Sequence, residues 1–451
     1  MFRWVFIASE RWVRANPTRL GTMVNHVPQW YVRGLGEAKL LRTLRHVWHR
    51  SPAQRARWQQ AGVRRRDLRS PRVLQRLPLT TGEDLVARPE AFLCAPRREL
   101  IHVLGTSGTK GRVKRIWLTR DDLDRQLNMI ATNLRRFADA ERAMALFLVD
   151  DPTWSAGSIT RGAIEKAGMF GLLSGTHLPT AAQIALIRDY RIDLIVTTPV
   201  YLHQLTLDAT EDVGALGVKY IQLSGQTWTE SFRAEMEATW GAKLIDVYAS
   251  TECACGIASE CVQQNGLHVS EADYWVEVIN PDSAEALPDG EEGELVVTTL
   301  SRRGMPLVRY RTGDVASLLP RGARCACGYP LRRMSRLRGR IDDMLILGGA
   351  NNVLPDAIDR AVLSLPGVSD YQLVVERDGY RDLLHLRVEA NGDAPPTRDM
   401  LVDALLSVTN IAVSHRTERT LDFGRMEVVS PGALSEGRPK TNRIVDHRQK
   451  P

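Results

Sequence analysis

The 451-residue sequence has no apolar run of about 18 residues, the length a membrane-crossing helix needs. It has six cysteines, which is sparse for so long a chain. Five of them fall in two short stretches, as Cys253, Cys255 and Cys261, then Cys325 and Cys327, with Cys94 apart. A secreted disulfide framework spreads its cysteines more evenly through a smaller chain, so the pattern favours a reducing cytoplasm with packed or metal-bound thiols. A signal peptide is not expected at MFRWVFIASERWVRANPTRL. Its apolar run is short, Glu10 and Arg11 break it, and no small-residue cleavage site follows. An amphipathic helix with Trp4, Phe6, Trp12 and Val13 turned inward is the expectation there. Repeats of fixed period and low-complexity tracts are also missing.

What is present is ordinary in bulk and uneven in detail. Hydrophobic residues make up 43% and charged residues 25%, as in soluble globular chains long enough for two or three domains. The net charge of +7 is carried by the front: residues 1–100 hold 20 Lys and Arg against 7 Asp and Glu. Those arginines alternate with Trp, Leu and Val at helical spacing. They read as a solvated helix face, and no nucleic-acid partner is expected.

Residues 1–75 read as a basic helical segment. At RLPLTTGEDL, Thr80 or Thr81 can cap a helix with Glu83 and Asp84 in its first turn. From 100 to 300, apolar runs (IHVL, AMALFLV, DLIVTT, YIQLSG, LIDVYAS, GELVVTT) alternate with helical stretches such as LTRDDLDRQLNMIATNLRRF. That alternation predicts an α/β core over residues 76–341. Residues 342–451 place the strands DDMLILGG, YQLVVER, LLHLRVEA and MEVVS around two helices, which predicts a small α+β domain.

The stretch GTSGTKGRVKR at 105–115 sits between two predicted strands. Glycines let backbone N–H groups approach an anion, hydroxyls add donors, and Lys110, Arg112, Lys114 and Arg115 add charge. Phosphate is the natural ligand. The loop is not a Walker A motif, since no Gly-Lys-Ser/Thr follows at the required spacing.

Further along come LSGQTW (223–228), VYASTE (247–252), RYRTGD (309–314), GRIDD (339–343) and PKTNR (439–443). In this order the series resembles the adenylate-forming superfamily, and most nearly the phenylacetate-CoA ligase branch. The resemblance runs from about residue 75 to the end of the sequence. It implies a large adenylate-forming domain and a small mobile C-terminal domain. It also implies an ATP-dependent ligase that makes an acyl-adenylate, releases pyrophosphate and then forms a thioester with CoA.

The same resemblance implies the site. Thr106, Ser107, Gly108, Thr109 and Gly111 would wrap the ATP phosphates. Thr251 would offer a hydroxyl to phosphate and Glu252 a carboxylate to Mg²⁺. Gly225 and Gln226 would contact adenine, and Tyr248 would stack on it. Asp314 would hold the ribose hydroxyls with Arg340 close behind. Lys440 would be the mobile catalytic lysine, and Asp342 the hinge. Trp154, Gly157, Tyr201 and Ser224 would line the acyl pocket. Arg161 reads as a surface residue of the helix that also carries Glu165.

Some positions depart from the branch's usual pattern. Lys110 replaces a common Thr, Val113 a Pro, Ala249 a Gly and Gln226 a Glu. LGGANNVLP after the hinge looks one residue longer than usual, which leaves an amine or a carrier-protein thiol open as alternative acceptors. A non-catalytic nucleotide-binding protein is a further alternative, disfavoured by Glu252, Asp314 and Lys440. Cys261, His268, Cys325 and Cys327 form a candidate structural Zn²⁺ set, with packed thiols as the alternative. The carboxylic acid itself and the oligomeric state are not fixed by the sequence, and a dimer is allowed.

Overall fold

The computed structural model describes residues 27–105, 113–137, 142–145, 155–176, 178–341, 344–347, 351–390, 395–434 and 443–448. The front helix expected around Trp4 and Trp12 lies outside them. The described basic segment is helical, with Gln29–Arg50 and Pro52–Gln60 followed by short 3-10 turns. Leu40, Leu44, Val47 and Trp48 of the first helix pack on Trp58, Leu68 and Leu74. Burial of one apolar face therefore holds this segment together, while its arginines alternate around the other.

Thr81 is the cap at the next helix, Gly82–Ala87. Its hydroxyl accepts from the Asp84 N–H at 3.1 Å, and the Asp84 carboxylate accepts from the Thr81 N–H at 2.9 Å. Thr119 and Asp122 repeat the device at the start of Arg120–Leu134. Asp122 also accepts from the N–H groups of Arg303 and Gly304, tying this helix to a turn 181 residues away.

The main sheet has eight strands. Five run parallel in the order Phe170–Leu173, Arg142–Ala145, Leu194–Thr197, Tyr220–Ser224, Lys243–Ser250. The sheet then continues antiparallel through Cys255–Ser259, Leu267–Val269 and Arg333–Met334. Ile195, Ile221, Leu223 and Leu244 of the parallel part are fully buried against Ile187, Leu202 and Trp240. This is why those strands read as near-continuous apolar runs. A second, antiparallel sheet contains Tyr274–Ile279, Glu292–Thr299, Tyr310–Ser317 and Gly339–Arg340.

The C-terminal region has its own four-stranded sheet, ordered Leu421–Val429, Arg381–Ala390, Val368–Asp378, Ile444–Asp446. Its core joins Tyr371, Leu373, Leu384 and Leu386 to Ile358 and Val362 of helix Pro355–Val362 and to Leu401 and Leu405 of helix Arg398–Leu406. The segment after GRIDD forms a small hairpin, Leu345–Leu347 with Asn351–Val353. No helix among the described residues is long and apolar enough to cross a membrane.

Candidate active site and thiol cluster

The functional side chains come from one strand of the main sheet and from two paired strands of the second, antiparallel sheet. Strand Lys243–Ser250 delivers Tyr248 and Ser250, and the turn after it carries Thr251 and Glu252. Strand Tyr310–Ser317 delivers Tyr310 and Asp314. Gly339–Arg340 pairs with that strand and places Arg340 opposite Asp314.

Glu252 is buried and fully engaged. Its Oε1 accepts from Lys114 Nζ at 2.5 Å and from the Tyr310 hydroxyl at 2.8 Å, and its Oε2 from the Ser250 hydroxyl at 2.7 Å. Arg302 donates to its backbone carbonyl at 2.7 Å. Burial pushes the carboxyl up, but the Lys114 ammonium and the Ser250 hydroxyl outweigh it and hold Glu252 below the usual carboxylate range. The ionised form of Glu252 is therefore built into the site.

Asp314 is the contrasting carboxylate. It accepts from the Tyr248 hydroxyl at 2.6 Å and from Arg340 at 3.0 Å, and its own N–H donates to Thr312. Burial dominates here, so Asp314 is pushed up despite Arg340. Gly313 sits at a bulge within this strand. Its φ is +76°, and a Cβ there would meet the Arg340 guanidinium at 3.1 Å.

Gly225 and Gln226 follow strand Tyr220–Ser224, with Gly225 exposed and at φ +89°. The Gln226 Oε1 is buried without a hydrogen-bond partner. A buried acceptor without a donor is costly, and a ligand bringing an N–H group would satisfy it.

Cys261, His268, Cys325 and Cys327 converge, with their ligand atoms all within 4.8 Å of one another. The Sγ atoms of Cys261 and Cys325 are 3.6 Å apart, and Cys327 Sγ lies 3.4 Å from His268 Nε2. A tetrahedral zinc with sulfur arms of about 2.3 Å has edges of about 3.8 Å, so the set fits. The neighbouring Cys327 and His268 push the Cys261 thiol down to about 3, while Cys327 is raised in turn. Burial lowers His268, favouring the neutral ring that ligates metals. Gly328, at φ +80°, turns the chain after the Cys325-Ala-Cys327 pair.

Residues 38–301 match the AMP-binding enzyme family, and residues 350–448 match the AMP-binding enzyme C-terminal domain. Phenylacetate-coenzyme A ligase of Aromatoleum evansii is 32% identical over 435 residues, covering 93% of this chain and 95% of that one. The enzyme of the same name from Thermus thermophilus is 33% identical over 373 residues, covering 81% and 83%. This chain belongs to the AMP-binding enzymes, in the phenylacetate-coenzyme A ligase branch. Among solved structures, 2-hydroxyisobutyryl-CoA ligase in the postadenylation state shares the fold, at TM-score 0.79 and 22% identity over 94% of this chain and 91% of that one. The same enzyme in the thioesterification state gives 0.64 at 24% identity, over 92% and 90%.

Within this AMP-binding chain the expected site residues fall into three groups. Tyr248, Asp314 and Arg340 are joined by hydrogen bonds, and Glu252 is held separately by Tyr310, a neighbour of Asp314 on the same strand. Tyr248, expected to stack on adenine, is 5% exposed and packs among Met129, Cys253 and Ile257. Tyr201, assigned to the acyl pocket wall, is buried against the core because Pro199 and the Thr198 cap start a helix that turns it inward. Gly157 and Ser224 are half-buried, and Thr251 is half-buried in its turn. Arg161 and Glu165 form an exposed ion pair along one helix. Thr106, Ser107, Gly108, Thr109, Gly111, Trp154, Asp342 and Lys440 lie outside the described residues.

Sequence reasoning missed three partners of the site. They are Tyr310, which lies in RYRTGD, Ser250 and Arg302. Lys114, one of four cations in the glycine loop by sequence, is the cation on Glu252. The signal available was small: a tyrosine four residues before Asp314 on the same strand shares its face.

Proposed function

We propose that this chain is an AMP-forming acid–CoA ligase acting on an aryl or acyl carboxylic acid. In the first step the substrate carboxylate attacks the α-phosphorus of ATP, the bond to the β-phosphate breaks, and pyrophosphate leaves. In the second step the CoA thiolate attacks the acyl carbonyl and AMP leaves. The observation that carries this reading is the ionised, buried Glu252 held by Lys114 and Tyr310, in a chain that matches phenylacetate-coenzyme A ligase over 95% of that enzyme's length.

The roles follow from the chemistry. Negative charge builds on the phosphoryl oxygens, so cations and N–H donors stabilise the transition state. Thr106, Ser107, Gly108, Thr109 and Gly111 would supply such donors, and Lys440 a cation between carboxylate and phosphate. Mg²⁺, carried in with ATP, would neutralise the phosphates, with Glu252 as its carboxylate and Thr251 as a neighbouring hydroxyl. Lys114 keeps Glu252 charged until then. Gln226 offers its unmatched acceptor to a base N–H, which fits an adenine amino group. Asp314, steadied by Tyr248 and Arg340, accepts from ribose hydroxyls. The thiol cluster would hold one structural Zn²⁺ with no direct part in phosphoryl chemistry, which takes oxygen ligands. The named relatives favour CoA over an amine or a carrier protein as acceptor, and a cytoplasmic setting suits free thiols.

The test is pyrophosphate release over a panel of aryl and aliphatic acids, with and without CoA. Acid-dependent release followed by CoA-dependent thioester supports the proposal. Acid-dependent release without thioester would move the acceptor to an amine or carrier thiol. No release with any acid would overturn the reading.

A further inference from the structure

Among the described residues, Arg338 and Thr227 of the large domain make polar contacts with the C-terminal region. A cavity of about 500 Å³ lies along the seam, lined by Glu292 and Arg338 on one side and by Leu354, Arg360, Ala361 and Asn410 on the other. Beside it Arg338 pairs with Asp356 at 3.2 Å. Away from it the Thr227 hydroxyl donates to Asp359 Oδ2 at 3.0 Å. Thr227 follows Gly225 and Gln226 in the same loop. Asp359 sits on helix Pro355–Val362 of the small domain.

The other oxygen of Asp359 faces inward. Its Oδ1 accepts from the Tyr371 hydroxyl at 2.8 Å and from Arg443 Nη1 at 3.1 Å. Arg443 also binds Asp370 at 2.7 Å, and its carbonyl accepts from the Leu373 N–H at 2.7 Å. The Asp359 side chain is 4% exposed and that of Arg443 18%. Two buried carboxylates thus share one arginine, and this surplus negative charge must be met by hydroxyl donors. Tyr371 is one donor, from within the small domain. Thr227 is the other, and it comes from across the seam.

We propose that Asp359 is a positioning residue that ties the Gly225–Thr227 loop to the tail carrying Lys440. One carboxylate therefore contacts both the loop assigned to adenine and the anchor of the tail assigned to catalysis. The Thr227 bond exists only while the small domain sits as it does here, the arrangement that overlays better on the postadenylation form of the 2-hydroxyisobutyryl-CoA enzyme than on its thioesterification form. When the small domain turns away, Asp359 loses that donor. The Thr227 hydroxyl thus favours the first half-reaction over the second.

This inference rests on the ligase reading, and the experiment separates the two. Wild-type enzyme is first shown to exchange pyrophosphate with an accepted acid; failure at that stage counts against the ligase reading itself. Thr227→Val keeps the shape and removes the donor. Losing a hydrogen bond to a charged group predicts about a tenfold fall in pyrophosphate exchange. Thioester formation from supplied acyl-adenylate and CoA should be unchanged or faster, and Thr227→Ser should restore exchange. The melting temperature of Thr227→Val separates misfolding from the proposed role, since a folding defect would slow both halves alike. Equal slowing of both half-reactions, or unchanged exchange, would overturn the proposal.

Discussion

The antiparallel strand Cys255–Ser259 has a cluster of buried ionisable groups at each end, and the two clusters are satisfied differently. Before it lies Glu252, whose oxygens are met by an ammonium and two hydroxyls of the chain itself. After it comes Cys261, which converges with two further thiols and an imidazole. The five strand residues span only about 17 Å. The first cluster is complete as folded and holds its charge ready. The second is a closed ring of donor atoms that fits one cation at its centre. The contrast separates a site prepared for a substrate from a site completed by an ion.

The largest effect is expected from removing the chain's own cation at the first cluster. Lys114→Met leaves Glu252 buried with hydroxyl donors only. Breaking a buried pair costs about 3–5 kcal/mol, but Lys114 is 22% exposed and Tyr310 and Ser250 remain, so about 2 kcal/mol is expected in urea unfolding. Adenylation should fall by about a hundredfold, as roughly 3 kcal/mol of transition-state stabilisation is lost. Adding Glu252→Gln should restore stability without restoring activity. If the single variant is as stable and active as wild type, the first cluster does not depend on its ammonium.

At the second cluster the decisive removal is of a ligand. Purified protein should carry about one zinc per chain, measured by atomic emission. Cys325→Ser should lower both the zinc content and the melting temperature by several degrees, with acid-dependent pyrophosphate exchange retained below that temperature. Metal-free protein of unchanged stability would make the cluster a set of packed thiols, and the contrast between the two ends of the strand would collapse.

What the sequence disclosed follows the same division. The sheet strands, the Thr81 cap and the Cys-X-Cys pair are local patterns, so they could be read from spacing alone. The meeting of His268 with Cys325 and Cys327, 57 and 59 residues away, was expected only from the ligand set zinc prefers. Convergence from distant strands was harder. Tyr310 reaches Glu252 from 58 positions away, Lys114 from 138, and Tyr248 meets Asp314 across 66. No local period encodes such meetings. The same holds for the ring of Tyr248: a tyrosine at a strand end can face a ligand or the core, and only tertiary packing decides.

The two carboxylates of the nucleotide site should also differ in acid and alkali. Glu252 lies below the usual carboxylate range, so its contribution to stability is present above that range and is lost as pH falls through its depressed value. Asp314 lies above the range, so its contribution is present in acid and is lost as pH rises through its raised value. Urea midpoints across an acidic pH series should therefore change slope in opposite senses for Glu252→Gln and Asp314→Asn. Parallel changes would mean that both carboxylates share one environment.

The smallest effect is reserved for Tyr248→Phe, which divides the roles of one side chain. The ring stays in its packing among Met129 and Ile257, and only the 2.6 Å bond to Asp314 is lost. Arg340 still holds the other oxygen of Asp314, so the aspartate is loosened rather than freed. A single hydrogen bond of this kind contributes about 1 kcal/mol. The KM for ATP should then rise about fivefold with kcat little changed, since ribose binding acts alike on ground and transition states. Losing the donor also removes support for the charged form, so Asp314 should move further above the usual range. Tyr248→Ala is the companion variant. If it costs no more than Phe, the hydroxyl carries the whole contribution and the ring only packs. If Phe is silent and Ala is not, the ring matters and the bond to Asp314 does not, and Arg340 alone orients the aspartate.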